Sequence, residues 1–127
     1  RTKKIINRLN IKKLNFIKIT KPLELIDFLT IMKNSKIILT DSGGIQEESS
    51  LLGVPCITIR TTTERQLSIT NKSNILTGYD YKKILKAVSY FYKSDIKPSK
   101  VFGDGNVSNR IYNIIKKYEI KLIKSKK

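Results

Sequence analysis

Histidine and tryptophan are absent from this 127-residue sequence, and cysteine and methionine occur once each. Without histidine, the chain cannot supply a Ser-His-Asp triad or a histidine general base. The usual zinc sites are excluded as well, because histidine and cysteine are their main ligands. The single cysteine, Cys56, excludes an internal disulfide and is typical of a reducing compartment. Its setting in VPCITI predicts a buried, unreactive thiol on a strand.

Long apolar runs are also missing. No stretch approaches the roughly 20 apolar residues that span a bilayer. The first residues, RTKKIINRLN, are basic but lack the apolar segment and cleavage site of a signal peptide. We therefore expect a cytoplasmic protein with no membrane partner. Because the sequence begins without Met, inside a helical pattern, we also expect a fragment of a longer protein.

Acidic residues are few: 10 Asp and Glu stand against 26 Lys and Arg, which gives a net charge of +16. A positive field of this size attracts anionic ligands of many kinds. No RNP-like aromatic motif, zinc finger or helix-turn-helix pattern accompanies the charge. We expect no specific nucleic-acid partner, and a basic nucleic-acid-binding module stays an alternative.

Apolar periodicity predicts strands that alternate with helices. The predicted helices cover 1–10, 22–35, 44–53, 80–94 and the residues from 106 to the end, with Gly53 as a stop and Asp80 as an N-cap. The predicted strands cover 14–20, 36–40, 55–60 and 74–78, and a loop with a short helical turn covers 61–73. This order predicts an α/β fold, a Rossmann-like parallel sheet with helices on both faces, in one domain over 1–127.

The turn Asp41-Ser42-Gly43-Gly44 joins the second predicted strand to a helix. Ligands of open α/β sheets bind beyond the carboxyl ends of the strands, where this turn lies. Two glycines let an anion approach the free N–H groups of the first helical turn, and Ser42 adds a hydroxyl donor. These features favour a phosphate site, although a plain structural turn explains the Gly-Gly pair equally well. Glu48, one turn into the helix, is placed to accept hydrogen bonds from ribose hydroxyls.

The segment LTDSGGIQEESSLLGVPCITIRTTTER resembles the signature of the non-hydrolysing UDP-N-acetylglucosamine 2-epimerases, enzymes of the GT-B fold. The likeness extends from KPLELIDF to FGDGNVSNRI and so covers nearly the whole sequence. It implies that the chain is the C-terminal, UDP-binding half of a GT-B architecture and that an N-terminal domain is missing. The sequence departs from the family pattern at Leu23, Thr61 and Gln66-Leu67.

The resemblance implies a role for six residues. Ser42, Gly43 and Gly44 would hold the UDP diphosphate, and Arg65 would neutralise the diphosphate or the departing UDP. Glu48 would bind the ribose and Phe28 would lie against the uracil; these assignments concern Phe28, Ser42, Gly43, Gly44, Glu48 and Arg65. Plain structural roles stay open for Phe28, as a core residue, and for Arg65, as a surface charge.

The implied reaction inverts C2 of the sugar in UDP-GlcNAc and gives UDP-ManNAc through elimination and re-addition of UDP. It needs no cofactor. Its acid and base groups come largely from the other domain, so we expect this fragment to be inactive alone and the intact enzyme to be a homodimer. A GT-B glycosyltransferase is a second alternative, since its C-terminal domain also holds UDP at a Gly-rich helix start.

Overall fold

The computed structural model describes residues 2–9 and 14–125, and the chain divides into two compact units, residues 1–31 and 32–127. The elements, in chain order, are helices and strands with these bounds: α1 Thr2–Arg8, α2 Leu25–Lys33, β1 Ile38–Thr40, α3 Gly43–Leu52, β2 Cys56–Thr58, α4 Gln66–Thr70, β3 Asn74–Leu76, α5 Tyr81–Tyr92 and α6 Val107–Ser125. None of the helices in this described part is long and apolar enough to cross a membrane.

In the first unit, the predicted helix over 1–10 is confirmed as α1, with positions 1 and 10 outside the described residues. The predicted strand over 14–20 is wrong, since these residues form a turn and irregular backbone. Alternating apolar residues favour a strand only where another strand accepts the backbone hydrogen bonds. The described residues of this unit contain no strand to do so, and Phe16 is left 83% exposed.

The second unit is built on a parallel sheet in the order β1-β2-β3. Ile38, Leu39 and Thr40 of β1 lie opposite Cys56, Ile57 and Thr58 of β2, which in turn lie opposite Asn74, Ile75 and Leu76 of β3. Each parallel pair is joined by a crossover helix, α3 and then α4, as parallel strands require. The predicted strands are therefore confirmed, each two or three residues shorter than the sequence pattern indicated.

One face of this sheet is apolar. Ile57 is fully buried against Ala87 and Phe91 of α5, and Ile75 and Val88 pack around them. Helix α5 is amphipathic, since its apolar residues recur every three or four positions and form one face. This face packs on the sheet. Asp80 caps the helix, its carboxylate accepting from the backbone N–H groups of Lys82 and Lys83, so the predicted N-cap is confirmed.

The opposite face is polar and equally buried. Thr58 and Asn74 point to the side covered by α3 and α4, where both are almost inaccessible to solvent. The Thr58 hydroxyl donates to Asn74 Oδ1 at 2.8 Å, and Asn74 Nδ2 donates to Ser68 Oγ of α4 at 3.0 Å. Helices therefore cover both faces, as predicted, but one of the two layers is held by hydrogen bonds.

The long basic helix predicted from residue 106 is confirmed as α6, with positions 126 and 127 outside the described residues. All side chains described for this helix are exposed.

We expect Phe91→Ala to lower the free energy of unfolding by about 3–5 kcal/mol, because it opens a cavity in the apolar layer. Leu85→Ala on the same helix is the matched control, since Leu85 is 59% exposed; its loss should stay below about 1 kcal/mol. Urea unfolding followed by circular dichroism measures both. Equal losses in the two variants would contradict the packing of α5 described here.

Candidate functional site

The turn singled out from the sequence lies at the carboxyl end of β1. Thr40 ends the strand, Ser42 is the N-cap residue with extended backbone, and α3 begins at Gly43. The Thr40 hydroxyl accepts from the backbone N–H of Ser42 at 3.1 Å and so fixes the turn. In parallel α/β sheets this edge is where ligands bind.

The start of α3 presents free hydrogen-bond donors. The backbone N–H of Gln46 donates to the carbonyl of Ser42 at 3.3 Å, closing the first helical turn. Within residues 2–9 and 14–125, no acceptor takes the N–H groups of Gly43, Gly44 or Ile45, and the Ser42 hydroxyl makes no cap bond. Three unpaired donors at the positive end of a ten-residue helix form a suitable site for an anion.

Gly43 and Gly44 are not required by backbone conformation. Positive φ occurs at other glycines, such as Gly53 with φ of 72°, but not at these two. A Cβ added at Gly44 would meet no atom closer than Ser42 Oγ, at 3.9 Å. A side chain at position 44 would therefore be tolerated by the fold, and what Gly44 provides is clearance above the helix terminus.

Arg65 lies beside this terminus. It follows β2, in the loop before α4, and a Cβ built on Gly43 would lie 3.7 Å from Arg65 Nε and 2.6 Å from Glu64 Oε1. Arg65 Nε forms an ion pair with Glu47 of α3, and Arg65 Nη1 lies 3.9 Å from Glu64 Oε1. The structure thus brings Arg65 together with the Ser-Gly-Gly turn, although these residues are more than 20 positions apart in sequence.

Acidic side chains balance the charge of Arg65. Glu64 also pairs with Arg60 at 3.4 Å. A hydrogen bond from its own backbone amide, together with the charges of Arg60 and Arg65, holds the pKa of Glu64 below its ordinary value. Glu64 is therefore an anion at neutral pH and lies where an incoming phosphate would meet Arg65.

Two further predicted site residues, Glu48 and Phe28, lie on helices α3 and α2. Glu48 is half-buried in α3, and its carboxylate has no hydrogen bond or ion pair to another described residue. Phe28 is half-buried in α2 and belongs to the unit of residues 1–31. Their proposed contacts to ribose and uracil stay predictions.

Sequence reasoning missed the residues that hold the site together. Gln46 is fully buried in α3, and its Oε1 accepts from Thr63 Oγ1 at 2.8 Å. Thr63 Oγ1 in turn accepts from the backbone N–H of Arg65 at 3.1 Å. Gln46 lies three residues after Gly43 and four before Ser50, but apolar periodicity could not identify it, because glutamine and serine are ordinarily exposed.

Cys56 is buried and free, as predicted. Burial raises the pKa of its thiol, against the weaker effect of hydrogen bonds with Thr58 and Ser49. No group of three or more potential metal ligands occurs in the part of the chain that the structure describes.

Comparisons with known proteins agree with one another. A sequence model of the family described as UDP-N-acetylglucosamine 2-epimerase matches residues 1–116. A curated relative of that name from Methanococcus maripaludis is 44% identical over 111 residues, which are 87% of this chain and 30% of the relative.

Solved structures give the same result. The Methanocaldococcus jannaschii UDP-GlcNAc 2-epimerase in complex with UDP-GlcNAc and UDP superposes with a TM-score of 0.79 at 41% identity, over 91% of this chain and 33% of that one. The Staphylococcus aureus MnaA–UDP co-structure superposes with a TM-score of 0.80 at 30% identity, over 91% of this chain and 32% of that one. This chain thus spans about a third of the relatives' length. The α/β fold of the GT-B kind is confirmed.

Gly44, which has open space around it, and Gly53, which has a positive φ, should respond in opposite ways to substitution by alanine. Gly44→Ala should leave the melting temperature unchanged or raise the free energy of unfolding by up to about 1 kcal/mol, because alanine restricts the unfolded chain and meets open space. Gly53→Ala should lower it by about 1–3 kcal/mol, since φ is 72° there and the new Cβ would lie 2.6 Å from Pro98 Cδ. Thermal unfolding of both variants checks this; a destabilised Gly44→Ala would argue for a structural role.

Proposed function

Since the chain belongs to the UDP-N-acetylglucosamine 2-epimerase family, we propose that it is the C-terminal, UDP-binding domain of such an enzyme. The intact enzyme would interconvert UDP-GlcNAc and UDP-ManNAc. One solved relative holds UDP-GlcNAc together with UDP. The observation that carries the proposal is the row of unpaired N–H groups at the start of α3 with Arg65 beside it.

Each part of the site has a chemical role in this proposal. The N–H groups of Gly43 and Gly44 and the hydroxyl of Ser42 donate hydrogen bonds to the diphosphate oxygens. Arg65 neutralises the charge that grows on the diphosphate as the bond from UDP to the sugar breaks. Donors that are fixed before the reaction stabilise that charge without reorganising, which is where the catalytic benefit arises. Glu48 would accept from the ribose hydroxyls, and the ring of Phe28 would lie against the uracil.

The groups that move the proton at C2 belong elsewhere in this proposal. Inversion of C2 requires an acid and a base on opposite sides of the sugar ring. Among the described residues, the carboxylates at the turn are Asp41, within it, and Glu47 and Glu64, which pair with Arg65; the sequence contains no histidine to complement them. We assign these groups to the two thirds of the relatives' length that this chain does not span. Alone, the chain would bind UDP but would not epimerise UDP-GlcNAc.

The setting of the enzyme follows from the same assignment. We place it in the cytoplasm, in agreement with the single cysteine, which excludes an internal disulfide. The homodimer that the family resemblance implies remains part of the proposal.

The alternatives receive less support. A glycosyltransferase shares the mode of UDP binding, but the family model, the Methanococcus maripaludis relative and the Methanocaldococcus jannaschii structure are described as 2-epimerases. A nucleic-acid-binding module would use the net charge of +16 without regard to one arginine. UDP binding that depends on Arg65 in particular distinguishes the first proposal from this one.

We expect UDP to bind the 127-residue chain with a dissociation constant of about 1 mM, because contacts from the rest of the enzyme are missing. Amide signals of Gly43 and Gly44 should shift in a nuclear magnetic resonance titration. Arg65→Ala should weaken binding at least about tenfold, since it removes a charge-assisted contact to the diphosphate.

Arg60→Ala is the matched control. It removes the same charge from the same loop, and Arg60 pairs with Glu64 rather than lying against Gly43. Its effect should stay below about threefold. The proposal is rejected if no amide of the turn shifts at about 10 mM UDP, well above the expected dissociation constant.

Glu64→Gln should tighten UDP binding by about threefold, because it removes an anion that competes for Arg65 and repels the diphosphate. Asp95→Asn makes the same change of charge at an exposed carboxylate that pairs with Lys97, in the loop after α5, and should leave the affinity unchanged. The same titration compares them. A weaker complex for Glu64→Gln would indicate that Glu64 supports the ligand instead of competing with it.

A further inference from the structure

Gln46 connects the Ser-Gly-Gly turn with the loop that carries Arg65, and it does so on the buried side of α3. Its side chain is fully buried in α3, between the sheet and the loop that carries Arg65. A buried amide destabilises the fold unless its donor and acceptor groups find partners. The partners of Gln46 are therefore informative about what this side chain does.

The amide has three hydrogen bonds with three different segments. Its Nε2 donates to the carbonyl of Ser42, the N-cap of α3, at 3.3 Å. Its Oε1 accepts from Thr63 Oγ1 at 2.8 Å and from Asn74 Nδ2 of β3 at 3.1 Å. One side chain thus ties the Ser-Gly-Gly turn to the arginine loop and to the sheet.

The same network holds the backbone of Arg65 on both sides. Thr63 Oγ1 accepts from the Arg65 N–H at 3.1 Å. Ser68 Oγ donates to the Arg65 carbonyl at 2.7 Å and accepts from Asn74 Nδ2 at 3.0 Å. Both polar backbone groups of Arg65 are therefore joined, through Thr63 and Asn74, to the amide of Gln46.

We propose that Gln46 is a positioning residue for diphosphate binding, a role that rests on the proposed function. It does not touch the ligand. It fixes the distance between the N–H donors of Gly43 and Gly44 and the guanidinium of Arg65, so that both meet one diphosphate at the same time. A shift of about 1 Å in such a pair of groups is enough to weaken binding and catalysis severely.

A double-mutant cycle on UDP affinity tests the connection. Gln46→Met keeps the length of the side chain without its amide, and Thr63→Val keeps the shape of Thr63 without its hydroxyl. Each should weaken UDP binding about tenfold, and the double variant should bind no worse than about threefold below either single variant, because both break one path. Thr63→Ser, which retains the hydroxyl, should restore wild-type affinity.

Ser73→Ala is the control for a merely structural role. Ser73 is also fully buried, and its hydroxyl donates to the Ser68 carbonyl at 3.2 Å, outside the path between Ser42 and Arg65. It should lower the melting temperature without changing UDP affinity. All affinities are measured well below the melting temperature of each variant; if Gln46→Met does not fold, Thr63→Val compared with Thr63→Ser carries the test.

The outcomes separate this inference from the proposed function. If the wild-type chain does not bind UDP, the proposed function fails and the inference with it. If the wild type binds and Thr63→Val and Gln46→Met bind equally well, the inference alone is overturned. It is also overturned if the losses of UDP affinity in Gln46→Met and Thr63→Val add fully in the double variant. A loss of UDP affinity in Ser73→Ala, in the same proportion to its loss of stability as in those two variants, would overturn it as well.

Discussion

The hydrogen bonds buried between the sheet and the helices α3 and α4 are what the site depends on. On this face the strands carry Thr58 and Asn74 where a parallel sheet more often carries aliphatic residues. An aliphatic layer stabilises a fold through contact area and leaves side chains free to repack. Hydrogen bonds of the Thr58–Asn74–Gln46 kind have one arrangement, so the loops at the end of the sheet inherit a defined geometry.

The two faces of the sheet consequently have different tasks. The apolar layer of Ile57, Ala87 and Phe91 supplies the burial that keeps α5 in place, and it does so without reference to any ligand. The polar layer contributes less through the hydrophobic effect, but it reaches Ser42 and Arg65 directly. The apolar layer thus stabilises the fold, while the polar layer, in our proposal, aligns the binding groups.

The sequence was sufficient for the elements of the second unit because each one has a local cause. The apolar runs around Ile38 and Ile57 mark buried strands, the αL residue Gly53 ends α3, and Asp80 caps α5. The predicted strand over 14–20 was wrong because strand formation depends on a partner that local alternation does not reveal. The predicted bounds exceed the strands by residues that continue the hydrogen bonding between neighbouring segments, since the N–H of Ile59 donates to the Thr40 carbonyl and that of Gly78 to the Arg60 carbonyl.

The Ser-Gly-Gly turn of the candidate site could be predicted from the sequence, but the buried residues that hold it could not. Ser42, Gly43 and Gly44 are recognisable by residue type and by their position after a strand. Gln46 and Thr63 are not, because a glutamine on a helix and a threonine in TTTER are ordinary solvent-exposed residues in most sequences. Their burial is a consequence of the long-range packing of α3 on β2 and β3, which involves residues up to 28 positions apart.

The charges around Arg65 would allow the proposed site to discriminate among anions, although the chain has a net charge of +16. The general positive field brings any polyanion to the surface, and salt weakens it. At the turn itself the field is balanced, since Glu47 and Glu64 accompany Arg65, and Arg60 pairs with Glu64. An anion must therefore exchange with a carboxylate to reach Arg65, and an anion that contacts the arginine alone gains little. In the proposed binding mode a diphosphate gains more, because it would also take the N–H groups of Gly43 and Gly44, which no acidic side chain among the described residues uses. Selectivity in this proposal therefore comes from these N–H donors rather than from the excess of positive charge.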